Sequence, residues 1–426
     1  MLGYSKLHEI VHREFAQVNE TCKRLRPISL ADTLMSGFAV FSLKYPSLLQ
    51  FDQHSQEEQI RHNLKTVFQI DRVPSDTQMR ERLDDIDPLM LRKAYKRLFA
   101  QCQRSKKLEA FAFYQGKYLM PFDGTGYFYS NDVHCENCCQ KTHKDGQTSY
   151  YHQMLTNVIV HPDLNVVLPF APEPIMKEDG STKNDCERNA AKRLLSHLQR
   201  EHPHLDLIIT GDGLYSNGPF IKRLKSQGYS FILVAKEKDH KALFEELRAL
   251  PCKTHEIKQE KKTHRFEWVN GIPLNDSHPD CLVNVLEYWE EQDDGKKQHW
   301  VWVTDIELNT SNVYQIMRGG RARHKIENET FNTLKNQGYH YNHNFGHGNK
   351  NLSTVFAYLM VLAFFVDQLM QLGCKAFKKA LQRLKSKKTL WERKRGLFFN
   401  FFVESLDDMW NALACGHRNR LMPDTS

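Results

Sequence analysis

The sequence of 426 residues lacks an uninterrupted apolar run of the length expected for a membrane-spanning helix. Its most apolar run, residues 355 to 366, is shorter than the roughly 20 residues of a membrane-spanning helix, and it predicts a buried core helix. The N-terminal stretch MLGYSKLHEIVHREF carries charges throughout, so it has no apolar centre of the kind found in signal peptides. We therefore expect a cytoplasmic protein without a membrane partner.

A disulfide framework is also missing, because most of the ten cysteines are isolated and widely spaced. The exception is HCENCC, which brings together Cys135, Cys138 and Cys139, with His143 and His152 following. A Cys-x2-Cys pair with nearby histidines can hold zinc in a tetrahedral site. No second Cys-x2-Cys pair follows, so two interpretations stay open. One is a structural zinc ion on Cys135, Cys138, Cys139 and His143, and the other is a hairpin with free thiols.

The sequence has neither internal repeats nor a low-complexity linker. Hydrophobic residues make up 40% and charged residues 26%, as in a globular protein, and the length favours two or three units. The net charge of +8 would suit a polyanion if it were clustered. Residues 375 to 395 contain ten lysines and arginines, including Lys378 and Lys379, against the single acid Glu392. We expect this segment to bind DNA, although most charge runs are only solvated faces.

The spacing of hydrophobic residues divides the chain into segments with different predicted secondary structure. The first segment is predicted to be helical, and the central segment is predicted to alternate strands with helices. Polar hairpins interrupt the central segment, and further helices follow them. The predicted fold is α/β, a mixed sheet with flanking helices. The predicted segments are 1–108 (helical, DNA-binding), 109–249 (first part of the core), 250–304 (β-rich insertion), 305–374 (second part of the core) and 375–426 (basic, helical).

A short basic helix is predicted in the first segment, within VPSDTQMRERLDDI. Ser75 or Asp76 can cap its N-terminus, and the helix would then present Arg80 and Arg82. Such a helix is what a helix-turn-helix protein uses to read the major groove. An ordinary exposed helix explains the same residues equally well.

Two aspartates follow apolar runs and precede glycines, in FDGTG and TGDGLYSNG. Asp123 and Asp212 would therefore lie at the carboxyl ends of strands, where open α/β sheets bind ligands. Two carboxylates placed side by side repel, so they share a proton or bind a hard cation such as Mg²⁺. The alternative is that each aspartate only caps a turn, since Asp-Gly is common in turns.

The helix in RHKIENETFNTLK offers two further acids, Glu327 and Glu329. At about 100° per residue, Glu327 shares a face with Phe331 and Leu334, whereas Glu329 lies on the opposite, polar face. A buried carboxylate needs a partner, so Glu327 is the candidate metal ligand and Glu329 a surface residue. The alternative for Glu327 is an ion pair with Arg323 at i, i+4.

Taken together, FDGTG, TGDGLYSNGPFI and RHKIENETFNTLKNQGYH resemble the DDE transposases of bacterial insertion sequences. The similarity is to the branch whose ribonuclease-H-like core is interrupted by strands before the catalytic glutamate helix. It covers roughly residues 110 to 375. The longer interval between the second aspartate and the glutamate is where that branch carries its β-rich insertion.

The resemblance implies that Asp123, Asp212 and Glu327 bind two Mg²⁺ or Mn²⁺ ions. It implies nicking and strand transfer at the inverted-repeat ends of the element. The partners would be double-stranded DNA, both element ends and target, and a second copy of the chain, in the bacterial nucleoid. A nuclease of the same fold without strand transfer, or a silent DNA-binding derivative, are the alternatives.

The branch signature is Tyr, two residues, Arg, three residues, Glu, six residues and Lys. Arg323 and Glu327 match it, but Gly320 stands in the Tyr position and Leu334 in the Lys position. Phosphate positioning needs a cation within reach. By this resemblance Arg323, with Lys335 or Arg321 as the substitute, would contact DNA.

Overall fold

The computed structural model describes residues 4–19, 27–176 and 187–416, with helices at both ends and a 12-stranded sheet between them. The helices before the sheet are α1 (Tyr4–Phe15), α2 (Leu30–Ser42), α3 (Leu48–His54), α4 (Glu58–Phe68), α5 (Asp76–Asp84) and α6 (Arg92–Arg104). The later helices are α7 (Glu187–Glu201), α8 (Gly218–Ser226), α9 (Lys241–Ala249), α10 (Val313–Arg321), α11 (Asn332–Asn336), α12 (Leu352–Gly373), α13 (Lys375–Leu384), α14 (Lys387–Asn400) and α15 (Leu406–Cys415). The strands are β1 (Ala112–Tyr114), β2 (Lys117–Ser130), β3 (Cys139–Thr142), β4 (Thr148–Ile159), β5 (Leu168–Pro169), β6 (Glu173–Ile175), β7 (Leu207–Gly211), β8 (Ser230–Val234), β9 (Lys253–Gln259), β10 (Lys262–Pro273), β11 (Leu282–Gln292) and β12 (Lys297–Thr304).

Strand β2 lies at the centre of the core. It pairs antiparallel with β4 on one side and parallel with β7 on the other, and β8 continues parallel beside β7. Strands β7 and β8 are short and almost wholly buried, as strands of a parallel region covered on both faces are. The strand order at the centre of the core is β4-β2-β7-β8, and the predicted mixed α/β fold is confirmed.

The predicted polar hairpins between residues 250 and 304 are the four antiparallel strands β9 to β12. They extend the core sheet, because β12 pairs antiparallel with β8 through Trp302 and Val303. Trp268, Tyr288 and Trp302 are almost completely buried. The inserted strands therefore have an aromatic core of their own and a continuous hydrogen-bonded connection to the core sheet.

Helix α12 contains the most apolar run of the chain. By length and composition it could cross a membrane, but its most apolar window is 100% buried within the protein. It packs against α2, α5 and α6 and against β5. The interpretation as a core helix agrees with this packing.

The basic C-terminal helices pack on the N-terminal helices. Asn63 in α4 is fully buried, and its Nδ2 donates hydrogen bonds of 2.7 Å to the carbonyl oxygens of Phe398 and Phe401. Its Oδ1 accepts from the backbone N–H of Val403 at 2.7 Å. The segments 1–108 and 375–426, predicted as separate regions, thus share one helical body in the part of the chain that the structure describes.

A buried charge cluster lies at the centre of that helical body. Lys44 Nζ is 2.6 Å from Asp367 Oδ2 of α12, and Tyr339 donates its hydroxyl to the same oxygen at 2.5 Å. Lys394 of α14 is also buried, with Nζ 3.2 Å from the carbonyl oxygen of Ser42. Burial lowers the pKa of Lys44 to about 8, against the opposing attraction of Asp367. Asp367 is thus the anion for two buried lysines, Lys44 from the N-terminal part of the chain and Lys394 from the C-terminal part.

The Asp367→Asn substitution should destabilise the protein by about 3–5 kcal/mol, because it leaves Lys44 and Lys394 buried without an anion. Asp71→Asn is the matched control, since Asp71 pairs with Lys65 at 3.2 Å where both side chains are about 70% exposed. The control should cost at most about 1 kcal/mol. Urea unfolding midpoints measure both. Equal shifts for the two variants would show that the buried cluster does not hold the helices together.

Candidate active site and its surroundings

The predicted aspartates lie on neighbouring parallel strands. Asp123 is in the middle of β2, and Asp212 directly follows β7. The register pairs Pro121 with Thr210, so the two aspartates, each two residues further on, come side by side on one face. Asp212 Oδ1 also accepts a hydrogen bond of 2.9 Å from the Leu214 backbone N–H. Asp212 therefore caps a turn, as the alternative interpretation expected, and it also lies beside Asp123.

Arg323 links Asp123 to the glutamate helix. Its Nη2 donates to Glu327 Oε1 at 2.8 Å, one turn further along the helix, and its Nη1 lies 3.8 Å from Asp123 Oδ2. The arginine side chain is 15% exposed, so it is partly desolvated between the two carboxylates. The ion pair that was the alternative interpretation for Glu327 is thus present, and Arg323 connects Glu327 to Asp123.

A fourth carboxylate, Glu187, completes the acidic cluster. Tyr215 donates its hydroxyl to Glu187 Oε1 at 2.6 Å, and a Cβ atom added to Gly124 would lie 2.5 Å from Glu187 Oε2. The sequence offered little signal for this residue, since an acid in the first turn of a helix is ordinary helix chemistry. Only the packing of α7 against the sheet brings it beside Asp123.

Electrostatics at this cluster favours binding a cation. Burial raises the pKa of Asp123 to about 6, Arg323 opposes this, and the charges of Glu327, Glu187 and Asp212 add to the increase. Burial likewise raises the pKa of Glu187, with Asp212 contributing in the same direction. Crowded, partly desolvated oxygen donors of this kind are the ligands that Mg²⁺ and Mn²⁺ take. The donors are therefore of the type that divalent metal ions take, although no three of these carboxylates have ligand atoms within 4.8 Å of one another.

The glutamate helix is not a regular α-helix. Residues Ile326–Phe331 form a π-helical turn, which takes in about one residue more than an α-helical turn. Leu334, expected on the face of Glu327, is 1% exposed, whereas Lys335 is exposed. Phe331 and Leu334 are buried, as the predicted apolar face requires. Glu327, predicted to lie on that buried face, is instead 45% exposed, so its expected burial was wrong.

The glycine in the Tyr position of the signature also has a structural reason. A Cβ atom at Gly320 would lie 2.5 Å from the indole of Trp302, which is buried in β12. The helix can approach the inserted strands this closely only without a side chain there. A tyrosine at this position is therefore incompatible with the packing of this chain.

Arg321 faces away from the acidic cluster. Its Nη1 lies 2.5 Å from Glu290 Oε2, and its guanidinium stacks over the Trp300 ring at 4.6 Å. Together with Glu329 it lines a polar cleft of about 630 Å³ between the inserted strands and the glutamate helix. Arg321 is thus already paired with Glu290, which contradicts its predicted role as the substitute phosphate ligand. Glu329, predicted to be a surface residue, is partly buried at this cleft.

The predicted recognition helix exists as α5, and Ser75 caps it with Gln78 in a capping box. Arg82 is 5% exposed, and its Nη1 donates to the Ile28 carbonyl oxygen at 2.7 Å and to Thr33 Oγ1 at 2.9 Å. The predicted DNA contact by Arg82 is wrong, because this side chain holds α5 onto the start of α2. Arg80 is 43% exposed and pairs with Asp76 at 3.3 Å, so it can still reach a ligand.

The basic C-terminal segment is divided between core and surface. Lys378 and Lys379 are exposed on α13. Lys394 is buried among the helices and does not contribute to a DNA-binding surface. The exposed cations of α13 and α14 are Lys375, Lys378, Lys379, Arg383, Lys385, Lys388 and Arg393.

The cysteine-rich turn forms a cluster different from the predicted one. Cys135, Cys138, His152 and His347 are buried, and their ligand atoms all lie within 4.8 Å of one another. Cys139 points elsewhere, since its Sγ donates to the Ile175 carbonyl oxygen at 3.5 Å. His143 Nε2 instead lies 2.8 Å from Ser149 Oγ. These two predicted ligands are wrong, because β3 and its turn carry them away from the cluster.

Comparison with known proteins gives one family. The model of the transposase DDE domain matches residues 134–364, a span that includes Asp212 and Glu327 and begins after Asp123. No curated protein matches the sequence. Among solved structures, the NurA nuclease from Sulfolobus solfataricus is similar at 11% identity and a TM-score of 0.23, over 54% of this chain and 85% of that one. A likeness this weak carries no information about activity.

The Gly124→Ala substitution should destabilise the acidic cluster, because the new methyl group would displace the Glu187 carboxylate from its hydrogen bond with Tyr215. We expect a loss of about 1–2 kcal/mol in thermal or urea unfolding. Gly126→Ala is the matched control on the same strand, where a Cβ atom meets nothing closer than 3.8 Å. Equal stability of the two variants would contradict the close packing of Glu187 against Gly124.

Proposed function

Because the chain belongs to the transposase DDE-domain family, we propose that it nicks DNA at the inverted-repeat ends of an insertion sequence and joins those ends to a target. The observation that carries the proposal is the position of Asp123 and Asp212 on neighbouring parallel strands, with Glu327 connected to Asp123 through Arg323. Family membership supports a DNA substrate and nuclease or transposition chemistry. Strand transfer at element ends is the more specific part of the proposal.

Asp123, Asp212 and Glu327 are proposed to hold two Mg²⁺ or Mn²⁺ ions. The chemistry that such ions supply, when bound, is activation of a water or a 3′-hydroxyl and neutralisation of charge on the phosphodiester. Arg323 orients Glu327 through their 2.8 Å hydrogen bond and reduces repulsion between Glu327 and Asp123. Glu187 stays hydrogen-bonded to Tyr215 and adds negative charge beside Asp123.

Lys335 is the proposed phosphate contact of the glutamate helix. Two observations support this role: Lys335 is exposed, and a π-helical turn, which shifts the residues after it relative to a regular α-helix, lies between Glu327 and Lys335. The flanking DNA would lie on the exposed cations of α13 and α14, Lys378 and Lys379 among them, with Arg80 as a further contact from α5. A second copy of the chain, bound to the other element end, would complete the assembly.

A joining assay tests the catalytic proposal. Wild-type protein, Mg²⁺, a labelled end from the repeats that flank the gene, and a target plasmid should yield joined product. Asp212→Asn and Glu327→Gln should abolish both nicking and joining, because each removes a charged oxygen ligand. Glu329→Gln is the matched control on the same helix and should stay within about twofold of wild type.

Each other outcome of the assay contradicts part of the proposal. Nicks without joined product would indicate a nuclease of the same fold, and binding without nicks would indicate a catalytically silent DNA-binding protein. Full nicking activity of Asp212→Asn would show that the acidic cluster is not the catalytic site.

Neutralising Lys375, Lys378, Lys379 and Lys385 with glutamine should weaken DNA binding and flatten its salt dependence. The slope of log K against log salt should fall by about 0.9 for each phosphate that the protein no longer neutralises. The matched control replaces four exposed lysines of the inserted strands, Lys258, Lys261, Lys296 and Lys297, and changes the net charge equally. Affinity and slope are measured by fluorescence anisotropy at several salt concentrations. If the variant of Lys375, Lys378, Lys379 and Lys385 shows no change, α13 and the turn that follows it do not carry the DNA.

A further inference from the structure

Four buried metal-ligating side chains meet at one point away from the acidic cluster. Cys135 and Cys138 lie in the connection between β2 and β3, His152 is on β4, and His347 lies in the loop before α12. Their exposed fractions range from 0% for Cys138 to 8% for Cys135. Among the residues that the structure describes, this is the one group of at least three such side chains whose ligand atoms approach one another this closely.

Five of the six separations between the four ligand atoms are close to those of a tetrahedron, and the sixth is at most 4.8 Å. With Zn–S bonds of about 2.3 Å and Zn–N bonds of about 2.0–2.1 Å, tetrahedral geometry separates two sulfurs by about 3.8 Å, sulfur and nitrogen by about 3.5 Å, and two nitrogens by about 3.4 Å. The Cys135 and Cys138 sulfurs are 3.8 Å apart. His152 Nε2 lies 3.4 Å and 3.3 Å from these sulfurs, and His347 Nε2 lies 3.2 Å from Cys138 Sγ and 3.1 Å from His152 Nε2.

The surroundings hold the ligands in place. His347 Nδ1 is 2.9 Å from the Gly348 carbonyl oxygen, so Nδ1 carries the proton and Nε2 has its lone pair free. Phe128 packs on the His347 ring at 4.2 Å, and Tyr127 stacks on His152 at 5.7 Å. The Cys135 backbone N–H points at Cys138 Sγ at 3.5 Å. Each contact fixes a ligand that would otherwise be free to rotate.

We propose that Cys135, Cys138, His152 and His347 bind one structural Zn²⁺ ion. Four protein ligands leave no open coordination position, which is the character of a structural site. Thiolates and imidazoles are ligands that Zn²⁺ prefers, whereas Mg²⁺ takes oxygen. The site is also separate from the acidic cluster, since His152 pairs with Phe128, five residues and about 15 Å along β2 from Asp123.

The zinc ion would bind the loop that follows the glutamate helix to the core sheet. That loop, residues 338–351, contributes His347, and Asn137 Nδ2 donates to its Lys350 carbonyl oxygen at 3.1 Å. Asp84 at the end of α5 accepts the backbone N–H groups of residues 349 to 352 at 2.8–3.0 Å. The metal thus lies where the helical body, the sheet and the loop meet. This inference does not depend on the proposed strand-transfer activity.

The first test is the metal content of the full-length protein, purified without chelators or a histidine tag and measured by plasma mass spectrometry. We expect about one zinc per chain. Replacement by Co²⁺ should give the intense visible absorption of a tetrahedral thiolate site together with sulfur-to-metal charge transfer. Less than half an equivalent of zinc, a full equivalent of iron in its place, or an octahedral Co²⁺ spectrum would overturn the proposal.

The second test assigns the ligands. Cys138→Ser and His347→Ala should each lose zinc and make residues 338–351 sensitive to limited proteolysis, while His347→Cys should retain the metal. Cys139→Ser is the matched control, because it removes an equally buried thiol from the next residue and leaves the four ligands intact. Full zinc content in Cys138→Ser, or equal zinc loss in Cys139→Ser, would contradict the assignment. If a ligand variant proves insoluble, the Co²⁺ spectrum of the wild-type protein decides.

Discussion

The parallel pairing of β2 with β7 is the constraint on which the acidic cluster depends. Register across this pair brings Asp123 beside Asp212, and a shift by one residue would turn one of them to the other face of the sheet. Both strands are buried, so the pairing is held by the core and not by the acids themselves. The repulsion between the carboxylates is tolerated because the surrounding fold leaves them no alternative position.

Two features of the glutamate helix follow from its position between this cluster and the inserted strands. Gly320 allows the helix to contact Trp302, and the π-helical turn then rotates the residues after Glu327. Leu334 is buried and Lys335 is exposed. Functional sites are where such turns occur, because an inserted residue changes the direction of side chains without ending the helix.

The excess positive charge of the chain serves more than one purpose. Lys44 and Lys394 are buried against Asp367, and Arg82 is used to join α5 to α2. Arg321 is neutralised by Glu290 of the inserted strands. The cations available for DNA are therefore fewer than the composition suggests, and α13 and α14 carry a group of the exposed ones. Net charge indicates a polyanionic partner but does not say which residues contact it.

Sequence patterns were sufficient to predict the α/β class, the core helix α12, the cap of α5 and the position of Asp212 at a strand end. The same prediction for Asp123 was wrong, because β2 continues through Asp-Gly to Ser130. All of these depend on neighbouring residues or on short periodic patterns. Tertiary packing was needed to bring Glu187 to Asp123, to join His152 and His347 to Cys135 and Cys138, and to bury Arg82. The residues that make these contacts are far apart in the chain, so patterns among neighbouring residues cannot predict them. The π-helical turn could not be predicted from the sequence either. A calculation with a constant angle per residue assumes a regular helix without an inserted residue.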